Sequence, residues 1–142
     1  MVYKEESIRE RLKRLEEVIA RLEKYRGQTL DEFIQDEEKQ WLVERGFILA
    51  VECLSDIAGH ILSGKFSLQP ADHEDAIRKL ESKGVISQGA AKKLRGLGGF
   101  RNILVHEYLR IDPARVHDYL QKELDSFHDF IGEIYSWIRS NP

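Results

Sequence analysis

Four polar side chains of the kind that move protons and bind phosphate lie close together in the sequence. Residues 98–112 read GGFRNILVHEYLRID and contain Arg101, Asn102, His106 and Tyr108. Residues four or seven apart share a face of a regular helix, so Asn102 is predicted to lie beside His106. By the same periodicity, Tyr108 is predicted to be in register with Arg101 on the neighbouring face. The spacing therefore predicts one patch with a guanidinium, an amide, an imidazole and a phenol.

These side-chain types suit the cleavage of RNA without a metal ion. An arginine binds phosphate through two hydrogen bonds and stabilises the charge that builds on the phosphate oxygens in a transition state. A histidine titrates near neutral pH and can take the proton of a ribose 2′-hydroxyl, which then attacks the phosphate. The alternative is a structural role, because such side chains near the end of a bundle often bond to carbonyl groups of neighbouring helices. Spacing alone favours that structural interpretation.

The polar patch lies in the only markedly basic part of the sequence. The net charge of the whole chain is −3, so any contact with nucleic acid must be local. Residues 91–115, the basic window, hold six basic residues against two acidic ones. We predict that four of the six contact RNA, namely Lys92, Lys93, Arg95 and Arg110. A solvated helix face is the ordinary explanation of such a window.

Hydrophobic periodicity predicts the helices that position this patch. The first is an amphipathic helix over about Lys4–Tyr25, since apolar residues recur there at spacings of four and three. Thr29 and Glu32 have the spacing of a capping box, which opens a short turn of helix. A long helix is predicted over about Asp36–Ser63. Its apolar positions, which include Leu42, cover more than one stripe, so we expect it to be central and buried on two sides.

Capping residues and glycines divide the second half of the chain. Asp72 and Ser87 are predicted to cap the third and fourth helices, and Gly84 to end the third. The glycines at 96, 98 and 99 are predicted to end the fourth. A brief helix over about Phe100–Leu109 then carries the polar patch. Asp112 followed by Pro113 is a strong helix start, and one last helix is predicted to run from there to about Arg139.

The expected fold is all-α, an antiparallel four-helix-type bundle with short additional helices, in a single domain of residues 1–142. Hydrophobic residues are 42% and charged residues 33% of the sequence, which is typical of a globular chain. The lone cysteine, Cys53, excludes an internal disulfide and a multi-cysteine zinc site. We find no apolar run approaching the 18 or more residues of a membrane span, and no signal peptide. A cytoplasmic protein without membrane contact is therefore expected.

Other polar residues have weaker claims to function. Glu52, Asp56 and His60 are spaced by four on the long helix, and they either bind a metal or, as we expect, bond to facing helices or line an interface. Arg45 lies on the same side and is expected either to pair with Glu52 or to border an RNA cleft. The remaining histidines stand next to acidic residues and are predicted to be surface groups: His73, His117 and His128. We predict no metal ion.

The motif resembles that of the HEPN superfamily, whose pattern is R-N-x-x-x-H, and its longer form R-x4-H-x-Y resembles the HepT branch. Two further stretches are similar in kind to that branch: ERGFILAVECLSDIAGHIL at 44–62 and GVISQGAAKKLR at 84–95. The resemblance covers nearly the whole chain. It is strengthened by the position of the motif between a glycine-rich entry and a final helix that begins with Asp-Pro.

The resemblance implies a ribonuclease toxin of a toxin–antitoxin pair related to types II and VII, with transfer RNA as one target class. Arg101 and His106 would be catalytic, and Asn102 and Tyr108 would support them. No cofactor is implied. The antitoxin would be a minimal nucleotidyltransferase that silences the toxin by adenylylating Tyr108.

The resemblance also implies a homodimer in which two motifs line one cleft. A dimer answers a chemical need, because 2′-hydroxyl attack uses a base for the nucleophile and an acid for the leaving oxygen, and the motif of one chain supplies only one histidine. The alternative from another class is a non-catalytic helical module that keeps the motif only to bind nucleotides or a partner.

Overall fold

Helices joined by short connections make up the computed structural model, which describes residues 3–142. In chain order these are α1 (Glu5–Glu23), α2 (Leu30–Ile34), α3 (Glu37–Phe66), α4 (His73–Ser82), α5 (Gln88–Leu94), α6 (Leu97–His106), a 3-10 turn (Tyr108–Arg110), α7 (Pro113–Lys122) and α8 (Leu124–Ser140). No strand occurs within residues 3–142. The all-α prediction is confirmed.

The seam of α1 follows the predicted periodicity and is buried, each of its residues being at most 2% exposed: Ile8, Leu12, Leu15, Ile19 and Leu22. It packs against α3 and α8. A side chain at Gly46 of α3 would place its Cβ 2.5 Å from Leu22 Cδ2, so the glycine lets the two helices approach closely. The first and last helices are also joined at the surface, where Arg26 just beyond α1 pairs with Asp125 of α8 at 3.1 Å.

Helix α3 is the central helix, as predicted, and contacts α1, α2, α4, α6 and α7. It runs three residues beyond the predicted end and stops where Ser67 adopts a left-handed conformation, φ 55°. Gly64 lies inside the helix and allows close packing, since an added Cβ would lie 2.6 Å from Tyr3 Cα. Leu42, counted among the apolar positions of this helix, is 56% exposed and lies outside its buried faces.

Helix α3 is long and apolar enough to cross a bilayer by length and composition, which was not expected from the sequence. The claim that no apolar run approaches 18 residues was therefore wrong. This evidence for a span is weak, since the core helix of a globular bundle meets the same criteria and 44% of the window is buried against the rest of the fold.

The predicted capping residues act as expected. Thr29 and Glu32 form the complete capping box of α2. Side-chain oxygens accept backbone N–H groups at the starts of α3, α4, α5 and α7. The final helix, predicted as one segment, is divided at Glu123 into α7 and α8. The apolar side shared by the two helices is buried all the same, because Glu123 keeps right-handed helical angles and the apolar spacing continues across the junction.

The glycine-rich stretch before the motif differs from its prediction. Of the three glycines, only Gly96 interrupts the helical conformation, with φ 90°, and it forms the N-cap of α6. Gly98 and Gly99 lie inside α6, which begins three residues earlier than predicted. Close packing explains Gly98, since an added Cβ would lie 2.9 Å from the Cβ of His73 on α4.

Candidate functional site

Helix α6 is held in place by an aromatic residue immediately before the motif. Phe100 is 3% exposed and stacks on Tyr119 of α7, with ring centroids 3.8 Å apart and planes 2° from parallel. It also forms a T-shaped pair with Phe47 of α3, with ring centroids 5.5 Å apart. Aromatic pairs of this kind stabilise by about 0.5–1.5 kcal/mol beyond the area they bury. The backbone from which the next residue, Arg101, projects is therefore fixed against both α3 and α7.

Arg101 and Asn102 lie together, and the arginine also reaches across to α3. Arg101 Nη2 donates to Glu52 Oε1 at 3.0 Å, and Nη1 donates to Asn102 Oδ1 at 3.3 Å. The Arg101 side chain is 29% exposed and that of Glu52 46%, so this ion pair is open to water. One of the two roles expected for Arg45, an ion pair with Glu52, is wrong, because the Glu52 carboxylate binds Arg101 instead.

The helix ends before it reaches Tyr108. His106 is the last residue of α6, and Glu107 leaves helical geometry with φ −129° and ψ 52°. Glu107 Oε1 accepts a hydrogen bond from Arg110 Nη1 at 2.7 Å, and Arg110 belongs to the 3-10 turn that follows. The predicted helical register between Arg101 and Tyr108 is therefore wrong. The Tyr108 side chain is 73% exposed, which leaves its hydroxyl accessible.

His106 is exposed on the last turn of α6. Within residues 3–142 its side chain has no hydrogen-bond partner, whereas the other motif side chain on its face, Asn102, accepts from Arg101. An imidazole without structural bonds is free to exchange a proton with a bound ligand. The structural role weighed for the histidine has no contact to support it in the described chain.

A cleft of about 910 Å³ opens between α3, α4 and α6, and we call it the Arg101 cleft. Within residues 3–142, Arg101 is the one basic side chain in its lining, which also holds His73, Asn102 and four acidic residues: Glu52, Asp56, Asp72 and Glu74. Gly98 and Gly99 form part of its wall, where larger side chains would narrow it. His106 and Tyr108 do not line it. One chain thus brings the guanidinium and amide of the motif into the cleft but not the imidazole and phenol.

The three α3 residues weighed as metal ligands have other partners. Glu52 binds Arg101, and Arg11 Nε of α1 donates to Asp56 Oδ2 at 2.6 Å. His60 Nε2 lies 3.8 Å from the second Asp56 oxygen. No group of three or more candidate ligands that could hold a metal ion occurs in residues 3–142. The expectation that these side chains bond to facing helices agrees with the contacts of Glu52 and Asp56.

Most of the basic window is already paired with acidic groups. Lys93 lies 2.9 Å from Asp129, and Arg95 lies 3.4 Å from Glu81. Arg110 is held by Glu107 as described. Lys92 is exposed and makes no ion pair in the described chain. The positive field of this window is therefore weaker than its composition indicates.

Two histidines predicted at the surface are partly buried instead. His73 Nε2 donates to the Leu94 carbonyl at 3.3 Å, and its Nδ1 accepts from the Ser55 hydroxyl at 3.1 Å. Burial lowers the pKa of His73, which keeps the neutral form that this pair of bonds requires. His117 Nε2 donates to the Gln28 carbonyl at 2.8 Å. His128 is exposed, as predicted, and its Nε2 lies 3.2 Å from Glu23.

Comparison with known proteins supports the resemblance in the sequence. Residues 15–134 match the family described as "Ribonuclease HepT-like". A "tRNA nuclease HepT" of Aphanizomenon flos-aquae is 29% identical over 131 residues, which are 92% of this chain and 89% of that protein. A tri-AMPylated HEPN toxin of Shewanella oneidensis, solved in complex with an MNT antitoxin, matches with a TM-score of 0.82 at 26% identity, covering 91% of this chain and 96% of that one.

A second solved structure supports the fold alone. The cytosolic protein YutE of Bacillus subtilis matches with a TM-score of 0.84 at 23% sequence identity. The match covers 99% of this chain and 94% of YutE. The likeness extends over all the described helices, those that form the Arg101 cleft included.

Proposed function

This chain belongs to the ribonuclease HepT-like family and is a ribonuclease, and we propose that it is the toxin of a toxin–antitoxin pair that cleaves RNA without a metal ion. The observation that carries the proposal is the placement of Arg101 in an open cleft on the same helix that ends in a free His106. The similarity to a tRNA nuclease supports transfer RNA as a substrate class. The similarity to a toxin solved with an MNT antitoxin supports a minimal nucleotidyltransferase as the partner. We place the reaction in the cytoplasm.

Arg101 is suited to bind the scissile phosphate. Its guanidinium has five N–H donors, of which Glu52 and Asn102 use only part. Glu52 holds the arginine towards the cleft in the absence of RNA. An entering phosphate shares or displaces that carboxylate, and the exposure of the pair keeps the exchange inexpensive, at about 0–1 kcal/mol. Asn102 supports the arginine from within the helix.

His106 is the proposed proton-transfer residue. It takes the 2′-hydroxyl proton as that oxygen attacks phosphorus, the bond from phosphorus to the 5′-oxygen breaks, and a second acid protonates the leaving oxygen. The products are a 2′,3′-cyclic phosphate and a 5′-hydroxyl. No cofactor takes part.

The sharpest test of this reaction is cleavage in chelator. We expect the purified protein to cut RNA with EDTA present and to leave cyclic phosphate ends, detected by whether a phosphatase can remove the terminal phosphate before and after acid opening. Cleavage that stops in EDTA and returns with a divalent cation would contradict the metal-free mechanism. RNA binding with no cleavage under either condition would favour the non-catalytic binding module.

A symmetric dimer would supply what one cleft lacks. His106 lies outside the Arg101 cleft of its own chain, and one imidazole cannot act as base and acid in the same step. Facing copies across a two-fold axis would bring the second histidine to the shared cleft. We expect light scattering to show a dimer at micromolar concentration. A monomer that retains full RNase activity would refute this arrangement.

A further inference from the structure

A groove between α1 and α3 carries a concentration of positive charge outside the basic window. It has a volume of about 360 Å³ and is lined by four basic side chains and no acidic one. The basic residues are Arg14, Arg21, Lys24 and Arg45. We call this surface the α1–α3 groove. Arg14, Arg21 and Lys24 follow one face of α1 at spacings of seven and three, and the packing of α3 against that helix adds Arg45.

The charges of this groove are largely uncompensated. Arg14 makes one contact with Glu17, at 3.4 Å, between two side chains that are each about half exposed. Arg21, Lys24 and Arg45 are exposed and make no ion pair within 4.0 Å in the part of the chain described, residues 3–142. This contrasts with the basic window, where Lys93, Arg95 and Arg110 are paired. Unpaired exposed cations attract a polyanion most strongly.

The groove leads directly to the Arg101 cleft. Leu49 lines both, and the next turn of α3 carries Cys53 and Glu52, which line the cleft. Arg45 and Glu52 are seven residues apart on α3, which corresponds to about 10 Å along the helix axis. A chain lying in the groove therefore continues along α3 to Arg101 without leaving the surface.

An exposed aromatic ring stands one helical turn from the groove. Trp41 is 62% exposed and precedes Arg45 by four residues on α3, so the two share a face. Proteins that bind single-stranded nucleic acid combine a basic groove with exposed aromatic side chains, because the cations follow the phosphates and the rings stack on bases. An acidic protein surface would also meet the charges, but it would not explain their continuity with the cleft.

We propose that the α1–α3 groove binds the phosphate backbone of a single-stranded RNA segment that extends from the Arg101 cleft, with Trp41 stacking on a base at its far end. The proposal rests on RNA being the substrate. In this proposal the groove binds RNA outside the cleavage site. It explains how a chain with a negative net charge binds its substrate. Contacts to the backbone position RNA without reading its sequence.

The test measures binding separately from cleavage. The probe is a short fluorescent single strand of 2′-O-methyl RNA, which lacks the attacking hydroxyl and survives whichever residues are catalytic. Each phosphate contact on a single strand contributes roughly 0.7 to the slope of log affinity against log salt, so Arg21→Ala/Arg45→Ala should lower the slope by about 1.4 and weaken binding about 25-fold at about 0.1 M salt. The loss should be similar for unrelated sequences.

The matched control is Arg78→Ala/Arg139→Ala, which removes the same charge from exposed positions outside the groove and the cleft. It should change affinity less than about twofold, since neither residue lines the groove or the cleft. Equal effects of the two double variants would overturn the proposal, whether or not the protein cleaves RNA. If the protein never cleaves RNA but Arg21→Ala/Arg45→Ala still weakens RNA binding, the proposed function is wrong and the proposal for the groove is supported.

Two other results would also overturn it. A groove variant that binds RNA normally but loses the nucleotidyltransferase would make the surface a protein-docking site. A groove variant that no longer dimerises in light scattering would make it a subunit interface.

Trp41 gives an independent readout. Trp137→Phe leaves Trp41 as the only tryptophan, and addition of the probe should quench its fluorescence. Trp41→Ala should weaken probe binding at least about fivefold, the low end of a base–aromatic stack. Unchanged fluorescence at saturating probe would remove the stacking part of the proposal.

Discussion

Replacing His106 with alanine is expected to reduce RNA cleavage by about 10²–10⁴-fold, the usual contribution of a positioned acid or base. The fold should hardly change. The imidazole is exposed at the end of α6 and has no hydrogen-bond partner in the described chain, so the free energy of unfolding should shift by less than about 0.5 kcal/mol. Cleavage rates and denaturant unfolding of the same preparation measure both.

Arg101→Ala is also expected to reduce RNA cleavage, by about 10²–10³-fold, which is the usual effect of removing one group that stabilises transition-state charge. Its ion pair with Glu52 is partly open to water, so the stability cost should stay below about 1 kcal/mol. The matched control for His106→Ala is His128→Ala, which removes another exposed histidine, one that contacts Glu23. A folded His106→Ala/Arg101→Ala double variant that cleaves RNA fully would contradict the catalytic assignment, and an unfolded one would support a structural role.

Tyr108→Phe is expected to free the toxin from its antitoxin while leaving cleavage intact. Of the five tyrosines, Tyr108 alone is exposed, so its hydroxyl is the phenol that a transferase reaches most easily. An AMP group attached two residues from His106 adds bulk and a negative phosphate, which repels the RNA backbone beside the proposed proton-transfer residue. Wild-type protein co-expressed with the nucleotidyltransferase should gain AMP on Tyr108 in peptide mass spectra.

The control for this variant is Tyr135→Phe, which removes the hydroxyl of a half-buried tyrosine on α8 and should remain silenced. Growth of cells that express toxin and antitoxin together reports silencing. If the partner neutralises Tyr108→Phe fully, inhibition proceeds by direct binding or through another residue, and the adenylylation mechanism fails.

Local chemistry in the sequence predicts most of the fold. The capping residues Asp36, Asp72, Ser87 and Asp112 all cap helices, because each bonds to N–H groups two or three residues away and needs no distant partner. The buried side of the last two helices was equally predictable from spacing. These signals place the motif at the right point in a helical bundle.

Tertiary contacts explain what the sequence did not predict. Gly98 looks like a helix terminator, yet it lies inside α6 because His73 of α4 occupies the space of its missing side chain. The same contact buries His73, which adjacent acidic residues had suggested to be at the surface. Tyr108 leaves the helical register at Glu107, whose carboxylate binds Arg110. The α1–α3 groove was missed because acidic residues lie between its α1 cations in the sequence and because Arg45 joins them only through helix packing.

The packing of the first helix against the last has a consequence for when the toxin becomes folded. The three helices that form the Arg101 cleft, α3, α4 and α6, leave the ribosome before α8 does. Until α8 has been synthesised, however, one side of the apolar seam of α1 has nothing to pack against. Domains fold as units, so a nascent or truncated chain lacking α8 should remain incompletely folded. An active nuclease is therefore released beside its own messenger RNA only after α8 has been synthesised.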